Sequence, residues 1–152
     1  MEHTNYDPKL TVTMKRTFNA PLALVWQAWT QAEHIVNWWS PKGMQTEILA
    51  HEFTVGGKWK YKMPMPNGMD FIAEGEYLEI VEHEKIVSKA DFKPMTEGVE
   101  MHALFEADGD KTKFTFHVVH PTEEYKIQQE QMGILNGWGG VFDRLEGLLS
   151  SL

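Results

Sequence analysis

The chain has no cysteine among its 152 residues, and its positive side chains are outnumbered by negative ones. Without cysteine it can form neither a disulfide nor a thiolate metal site, and it has no cysteine nucleophile. This absence fits a reducing compartment, so a cytoplasmic location is expected. The 14 lysine and arginine residues stand against 22 acidic residues, which gives a net charge of −8. Nucleic acids and anionic membrane surfaces both attract clustered positive charge, so neither is an expected partner.

Long apolar runs are also missing. No stretch approaches the ~20 apolar residues of a membrane span. The first ten residues, MEHTNYDPKL, lack the apolar core of a signal peptide. Residues 1–8 are polar and predict a flexible tail, whereas residues 9–152 have the length of a single domain with its own core. The sequence leaves the oligomeric state open, with a homodimer among the alternatives.

Aromatic residues and methionine are abundant, with six Trp, eight Phe, four Tyr and nine Met. Alternation of apolar and polar residues predicts a first strand at about 10–18, and helical spacing then predicts two short helices between residues 21 and 38. Six further strands are predicted at about 44–53, 58–64, 69–82, 85–93, 98–107 and 111–120. Asn67-Gly68 and Asp108-Gly109 are typical of hairpin turns, so the sheet should be antiparallel with one apolar face.

Residues 122–152 carry an apolar stripe at helical spacing, which predicts a long C-terminal helix packed on the sheet. The stripe consists of Met132, Leu135, Trp138, Phe142, Leu145, Leu149 and Leu152. Four glycines interrupt it, Gly133, Gly137, Gly139 and Gly140, and each costs roughly 1 kcal/mol relative to alanine. Either these glycines thin a packing face, or the helix is bent or restarted near Gly133–Gly137 and shapes the mouth of a cavity.

The order of elements predicts an α+β fold, in which a seven-stranded curved antiparallel sheet (β-α-α-β6-α) wraps around the C-terminal helix. A curved sheet around a single helix leaves a gap that the helix does not fill. We therefore expect a cavity between the sheet and this helix.

Several stretches of the chain, taken in this order, are specific to a known family. They are Phe18-Asn19-Ala20-Pro21, Val25-Trp26-Gln27-Ala28-Trp29-Thr30, Glu33-His34, Trp38-Trp39-Ser40-Pro41-Lys42-Gly43, Gly56-Gly57, Gly75-Glu76-Tyr77-Leu78-Glu79-Ile80, Glu84-Lys85-Ile86-Val87, and Gly137-Trp138 with Leu145 and Leu149. On these residues the chain resembles the START-like (SRPBCC) superfamily, in the branch named after the activator of heat-shock protein 90 ATPase. The resemblance implies the helix-grip fold and a hydrophobic cavity. It implies no single activity, because the superfamily includes lipid carriers, hormone receptors, aromatic cyclases and hydrolytic enzymes.

The inward-phased residues of the predicted strands and helix give the candidate ligand-binding site. It consists of Arg16, Trp59, Tyr61, Met63, Met101, Phe105, Phe116, Trp138 and Phe142. The tryptophans either pack only in the core or also line a cavity for a flat or acyl ligand. Arg16 falls on the apolar side of its strand. It either reaches solvent at the strand end or is buried beside a carboxylate and faces the pocket, where Arg16 or Tyr61 would orient a polar group.

No catalytic or metal-binding pattern is evident. Among the seven histidines, His117 and His120 are three apart in a predicted strand, so they point to opposite faces and do not share a metal. No nucleophile elbow or zinc motif is present, and no cofactor is expected. The leading hypothesis is therefore non-catalytic binding of a hydrophobic or aromatic small molecule. The alternatives are a co-chaperone-like module with a chaperone partner, and a cyclase- or hydrolase-type enzyme that uses the same cavity.

Overall fold

The fold is seen in a computed structural model that describes residues 6–39, 45–64, 68, 70–93 and 96–152, without the side chains of Lys93, Thr96 and Asn136. The elements in chain order are β1 (Thr11–Phe18), α1 (Leu22–Thr30), α2 (Ala32–Ile35), β2 (Glu47–His51), β3 (Lys58–Pro64), β4 (Asp70–Val81), β5 (Lys85–Lys93), β6 (Thr96–Asp108), β7 (Lys111–Val119), α3 (Glu123–Gln131) and α4 (Ile134–Leu149). The predicted strands and the two short helices between residues 21 and 38 are confirmed.

The seven strands form one antiparallel sheet in the order β1-β7-β6-β5-β4-β3-β2. Strands β2 to β7 form a meander in chain order. Strand β1 pairs with β7 and is the edge strand on that side of the sheet. The β6–β7 turn contains Gly109 at φ 62°, as an Asp-Gly hairpin requires. Of the other predicted turns, Asn67 and the segment Ser40–Gly43 lie outside the described residues.

Alternation along the strands gives the sheet one apolar face. On β3, Trp59, Tyr61 and Met63 are buried, while the lysines between them are more exposed. On β7, Phe114 and Phe116 are buried in the same way. These side chains, together with those of α1, α2 and α4, form one continuous core.

The C-terminal segment is two helices rather than one. Gly133 has φ 87° and separates α3 from α4, and this left-handed conformation suits glycine because it has no Cβ. The alternative of a restarted helix is thereby confirmed. Only α4 packs deeply on the sheet: Phe142 and Leu145 are buried, whereas Met132 is half exposed and α3 buries no residue at all.

The glycines of α4 do not serve close packing. A Cβ atom added to Gly137, Gly139 or Gly140 would meet no atom within 4 Å, so the interpretation as a thinned packing face is wrong. Close approach occurs instead at Gly75 on β4. A Cβ there would lie 2.9 Å from Cζ2 of Trp59 and would collide with the backbone carbonyl of Lys89. Gly75 thus allows the indole of Trp59 to lie directly on the sheet.

Tyr6, the first residue that the structure describes, contacts the convex face of the sheet. Of residues 1–8, for which the sequence predicts a flexible tail, 1–5 lie outside the described part. Tyr6 shares a hydrogen bond of 3.0 Å with Nδ1 of His102, and its ring stacks on His117 at a centroid distance of 3.8 Å. Tyr6 is therefore held against β6 and β7.

The two kinds of glycine predict opposite effects on stability. Gly137→Ala should raise the free energy of unfolding by up to about 1 kcal/mol, since it removes backbone entropy from the unfolded chain without a clash. Gly75→Ala should lower it by about 2 kcal/mol or more, because the added methyl group meets backbone. Urea denaturation of both variants measures the difference. An equal effect of the two substitutions would contradict this assignment.

Candidate functional site

A small cavity lies on the concave face of the sheet, beneath the segment that carries α1 and α2. About 40 Å³ is open to the centre of a water molecule, which is room for about three waters. The strands contribute Trp59, Tyr61, Tyr77, Ile86, Ser88, Met101, Ala103 and Phe116. Trp29 of α1, Ile35 of α2 and Trp39 complete the lining. The site is therefore formed mainly by aromatic and aliphatic side chains, with two phenols and one serine hydroxyl.

The cavity does not lie where the sequence places it, between the sheet and the C-terminal helix. None of its described lining residues belongs to α4. The ring of Trp138 lies 4.8 Å from that of Phe116, and Phe142 lies 5.1 Å from Phe114 and 5.4 Å from Phe116, measured between centroids. These rings fill the space between α4 and β7. The remaining void is consequently on the other side of Phe116.

Four of the nine predicted site residues line the cavity, namely Trp59, Tyr61, Met101 and Phe116. Three others are core residues outside it. Met63 is buried near the end of β3. Phe105 contacts Trp26 and Trp29 at centroid distances of 5.4 and 5.7 Å. Phe142 belongs to α4 and is buried between this helix and the sheet. Trp138 is only partly buried and packs against Trp39 at 5.7 Å.

Arg16 is directed at α4 rather than at the cavity. Its Nη1 donates to Oδ1 of Asp143 at 2.8 Å and to Oε1 of Glu146 at 3.4 Å. Its Nη2 donates to the carbonyl of Gly139 at 3.4 Å, and the guanidinium lies 5.9 Å from the centre of the Phe142 ring. The predicted pairing with a carboxylate is thus present, but it links β1 to α4 and does not place Arg16 at the cavity. Arg16 does not border the cavity.

The predicted site omits seven of the lining residues, although a cavity-lining role was left open for the tryptophans. The seven are Trp29, Ile35, Trp39, Tyr77, Ile86, Ser88 and Ala103. A usable signal existed for Tyr77, because it has the same alternation phase as Ala73 and Gly75, whose positions pair with Tyr61 and Trp59 of β3. Ser88 likewise has the phase of Ile86 on β5. Trp39 had no such signal, because it follows α2 outside any periodic element.

A hydrogen-bonded chain runs from the cavity wall to α1. Nε2 of His51 donates to the carbonyl of Thr30 at 2.7 Å. In the neutral imidazole this leaves Nδ1 as an acceptor, which lies 3.1 Å from the hydroxyl of Tyr61. Tyr77 is the neighbouring phenol of the lining. Burial raises the pKa of Tyr77 to about 12 and that of Tyr61 higher still, so both phenols stay protonated at neutral pH.

Two buried donors in the lining have no acceptor. The indole Nε1 atoms of Trp29 and Trp59 are inaccessible to solvent and have no hydrogen-bond partner among the described residues. By contrast, Nε1 of Trp38 donates to the carbonyl of Ala28 at 2.9 Å. Most buried polar groups in proteins are hydrogen-bonded, so these two indole donors are among the exceptions in the described part of the chain.

A sequence profile of the activator of Hsp90 ATPase homolog 1-like (AHSA1) proteins matches residues 19–150. The chain belongs to this family. The family and the helix-grip fold predicted from the sequence are thus confirmed. No curated protein matches the chain significantly.

Solved structures show the same fold over nearly the whole AHSA1-like chain. A protein from Staphylococcus epidermidis is 26% identical, covers 98% of this chain and 94% of its own, and gives a TM-score of 0.83. A protein from Mycobacterium smegmatis is 20% identical over 99% and 98% of the two chains, with a TM-score of 0.85. An AHSA1-like protein from Aeromonas hydrophila is 17% identical over 93% of each chain, with a TM-score of 0.75.

Outside the cavity, three histidines of the AHSA1-like chain, His102, His117 and His120, have structural partners. His102 and His117 pair across β6 and β7, and His117 Nδ1 lies 2.8 Å from the hydroxyl of Thr13. His120 is buried, and its Nδ1 donates to the carbonyl of Leu10 at 3.2 Å. In the described part of the chain no three His, Asp or Glu residues are arranged to hold a metal. The same residues contain no helix long and apolar enough to cross a bilayer.

Two of these histidines predict a loss of stability in acid. Burial lowers the pKa of His117, with a further contribution from His102 and Lys15, and burial also lowers that of His120. The unfolded chain therefore binds protons near pH 6.5 that the folded chain does not, and the free energy of unfolding should fall as the pH decreases below about 6.5. Above that pH, these two histidines should no longer make the free energy of unfolding depend on pH.

Urea unfolding of the AHSA1-like domain between pH 5 and 8 measures this dependence. The double variant His117→Gln and His120→Gln should have a flatter profile below pH 6.5, whatever its stability at neutral pH. A slope as steep as that of the wild type would show that other groups govern the acid loss.

Proposed function

We propose that this AHSA1-like domain binds a small apolar or aromatic molecule in the cavity beneath Trp29 and Trp39. The observation that carries the proposal is the lining itself, which is largely apolar and aromatic and has only a few fixed polar groups. Such a composition is typical of small-molecule sites. The described lining residues include no carboxylate, lysine or arginine, which favours binding over acid–base catalysis.

The volume of the cavity limits the size of the ligand. With room for about three waters, the cavity accepts a molecule of about three non-hydrogen atoms without rearrangement. A larger ring would have to displace a neighbouring side chain. Burial of about 150 Å² of apolar surface yields about 4 kcal/mol, which corresponds to a dissociation constant of about 1 mM before hydrogen bonds are counted. Binding assays should therefore extend to millimolar concentrations.

Tryptophan fluorescence offers a direct test, since Trp29, Trp39 and Trp59 all border the cavity. Titration with a panel of small cyclic hydrocarbons, ketones and phenols should produce a saturable change in emission. Ala103→Val should abolish it, because the added methyl groups occupy a volume comparable to the cavity. Arg16→Met is the matched control and should leave the affinity unchanged, since Arg16 does not border the cavity.

Two results would contradict the proposal. One is the absence of a saturable response to any member of the panel. The other is equal affinity in the wild type and in Ala103→Val, provided that the circular dichroism spectrum shows the variant to be folded.

A second candidate function is a co-chaperone-like interaction, which rests on the name of the family and on one surface feature. Around the junction of α3 and α4, Ile127, Met132 and Leu135 are 44, 53 and 50% exposed. Exposed apolar side chains close together favour contact with another protein. The chaperone partner expected from the resemblance would be of the heat-shock protein 90 class.

This second candidate predicts that the domain raises the ATPase rate of a purified bacterial chaperone of that class. The paired variant Ile127→Ser and Leu135→Ser should then lose the stimulation, while Ala103→Val should keep it. Unchanged ATPase turnover with the wild-type domain in excess would exclude the function for that chaperone.

A further inference from the structure

We propose that two copies of the chain associate through the outer edge of β1, with the two β1 strands antiparallel and centred on Met14. The sheet then continues from one copy into the other. The cavity and its ligand play no part in this association. The hydrogen bonds that β1 makes, and those that it leaves open, define the interface.

Strand β1 bonds to β7 along one edge only. The backbone N–H of His120 donates to the carbonyl of Leu10 at 2.8 Å, so these residues form a hydrogen-bonded pair of the antiparallel ladder. Such pairs alternate with non-bonded ones, and the even-numbered residues of β1 therefore bond to β7. The odd-numbered residues direct their backbone N–H and C=O groups away from β7, and within the described part of the chain these groups have no hydrogen-bond partner. They belong to Thr11, Thr13, Lys15 and Thr17.

The two edges of the sheet differ in how well they resist the addition of a strand. At the opposite edge, β2 has five residues, and its register with β3 shifts between Ile48 and Ala50. A short length and a bulge both discourage further pairing. Strand β1 has eight residues in unbroken register and contains no proline. It is therefore the edge of the sheet to which another strand can be added.

The sequence of β1 complements itself when two copies are centred on Met14. Thr13 then lies opposite Lys15 of the second copy, and Thr11 lies opposite Thr17 of the second copy. All of these residues belong to the outward-directed set, so each pair can exchange both of its backbone hydrogen bonds. A register centred on Lys15 would instead place two ammonium groups directly opposite each other, which is destabilising.

The side chains of β1 are also compatible with a second copy. Met14 is only partly buried against the core, and its neighbour across the interface would be the same methionine. Side chains approach most closely in non-hydrogen-bonded pairs, so the two methionines would cover each other. Arg16 is already paired with Asp143 and Glu146, and Lys15 keeps its exposed position on the convex face. The association thus buries no unpaired charge.

Cysteine substitution tests both the association and its register, because the chain contains no other cysteine. The Cα atoms of a non-hydrogen-bonded pair are about 4.5 Å apart, which is within the range of a disulfide. Met14→Cys should therefore give a covalent dimer on oxidation with copper phenanthroline, seen on a non-reducing gel. Lys15→Cys is the matched control. Its thiol is more exposed but lies two positions away from its copy, so it should cross-link about tenfold more slowly or less.

Sedimentation equilibrium measures the association without a cross-link. The wild-type chain should approach twice the monomer mass as its concentration is raised. Lys15→Pro removes an N–H of the open edge and no bond between β1 and β7, so it should return the mass to that of a monomer. Lys15→Ala removes the same charge but keeps the N–H, and it should remain a dimer.

Three results would overturn the inference. One is a monomer mass for the wild-type chain at millimolar concentration. The second is faster cross-linking of Lys15→Cys than of Met14→Cys. The third is equal dimerisation of Lys15→Pro and Lys15→Ala, when circular dichroism shows both to be folded. If Lys15→Pro does not fold, the wild-type mass and the two cysteine variants decide the question.

Discussion

The contact of Trp138 and Phe142 with Phe116 divides the concave face of the sheet, and the position of the site depends on it. These rings lie 4.8 and 5.4 Å from Phe116, and they fill the space under α4 with close-packed aromatic groups. Among the described residues, the part of the sheet beyond Phe116 is covered mainly by α1, α2 and Trp39, and Trp138 of α4 extends as far as Trp39 and Phe92. Short helices cover a curved surface less completely than a long one, and the void remains there.

The two sides of this division differ in the polar groups that they contain. Under α4, the described contacts are aromatic or aliphatic, and the cation at the edge, Arg16, is neutralised by carboxylates of α4. Under α1 and α2, the lining includes Tyr61, Tyr77 and Ser88, and two indole donors lack a partner. The void and the phenol and serine hydroxyls of its lining are on the side away from α4, which makes that side the candidate for ligand recognition.

The strands and their inward faces could be predicted from the sequence, because alternation of side chains is a local property of each strand. This alternation correctly assigned Trp59, Tyr61, Met101 and Phe116 to the concave face. The position of the cavity could not be predicted, since it depends on how the rings of α4 pack against a strand far away in the chain. The partner of Arg16 likewise lies 127 residues further on, at Asp143. Gly133 was visible as a helix breaker, but only the backbone geometry shows which glycine ends the helix.

Xenon binding to crystals of the protein tests the central claim most directly, because xenon enters apolar cavities and diffracts strongly. We expect a xenon atom between Trp29, Trp59 and Met101, on the side of Phe116 away from α4. A xenon atom between α4 and the sheet, or none in the concave face at all, would contradict it.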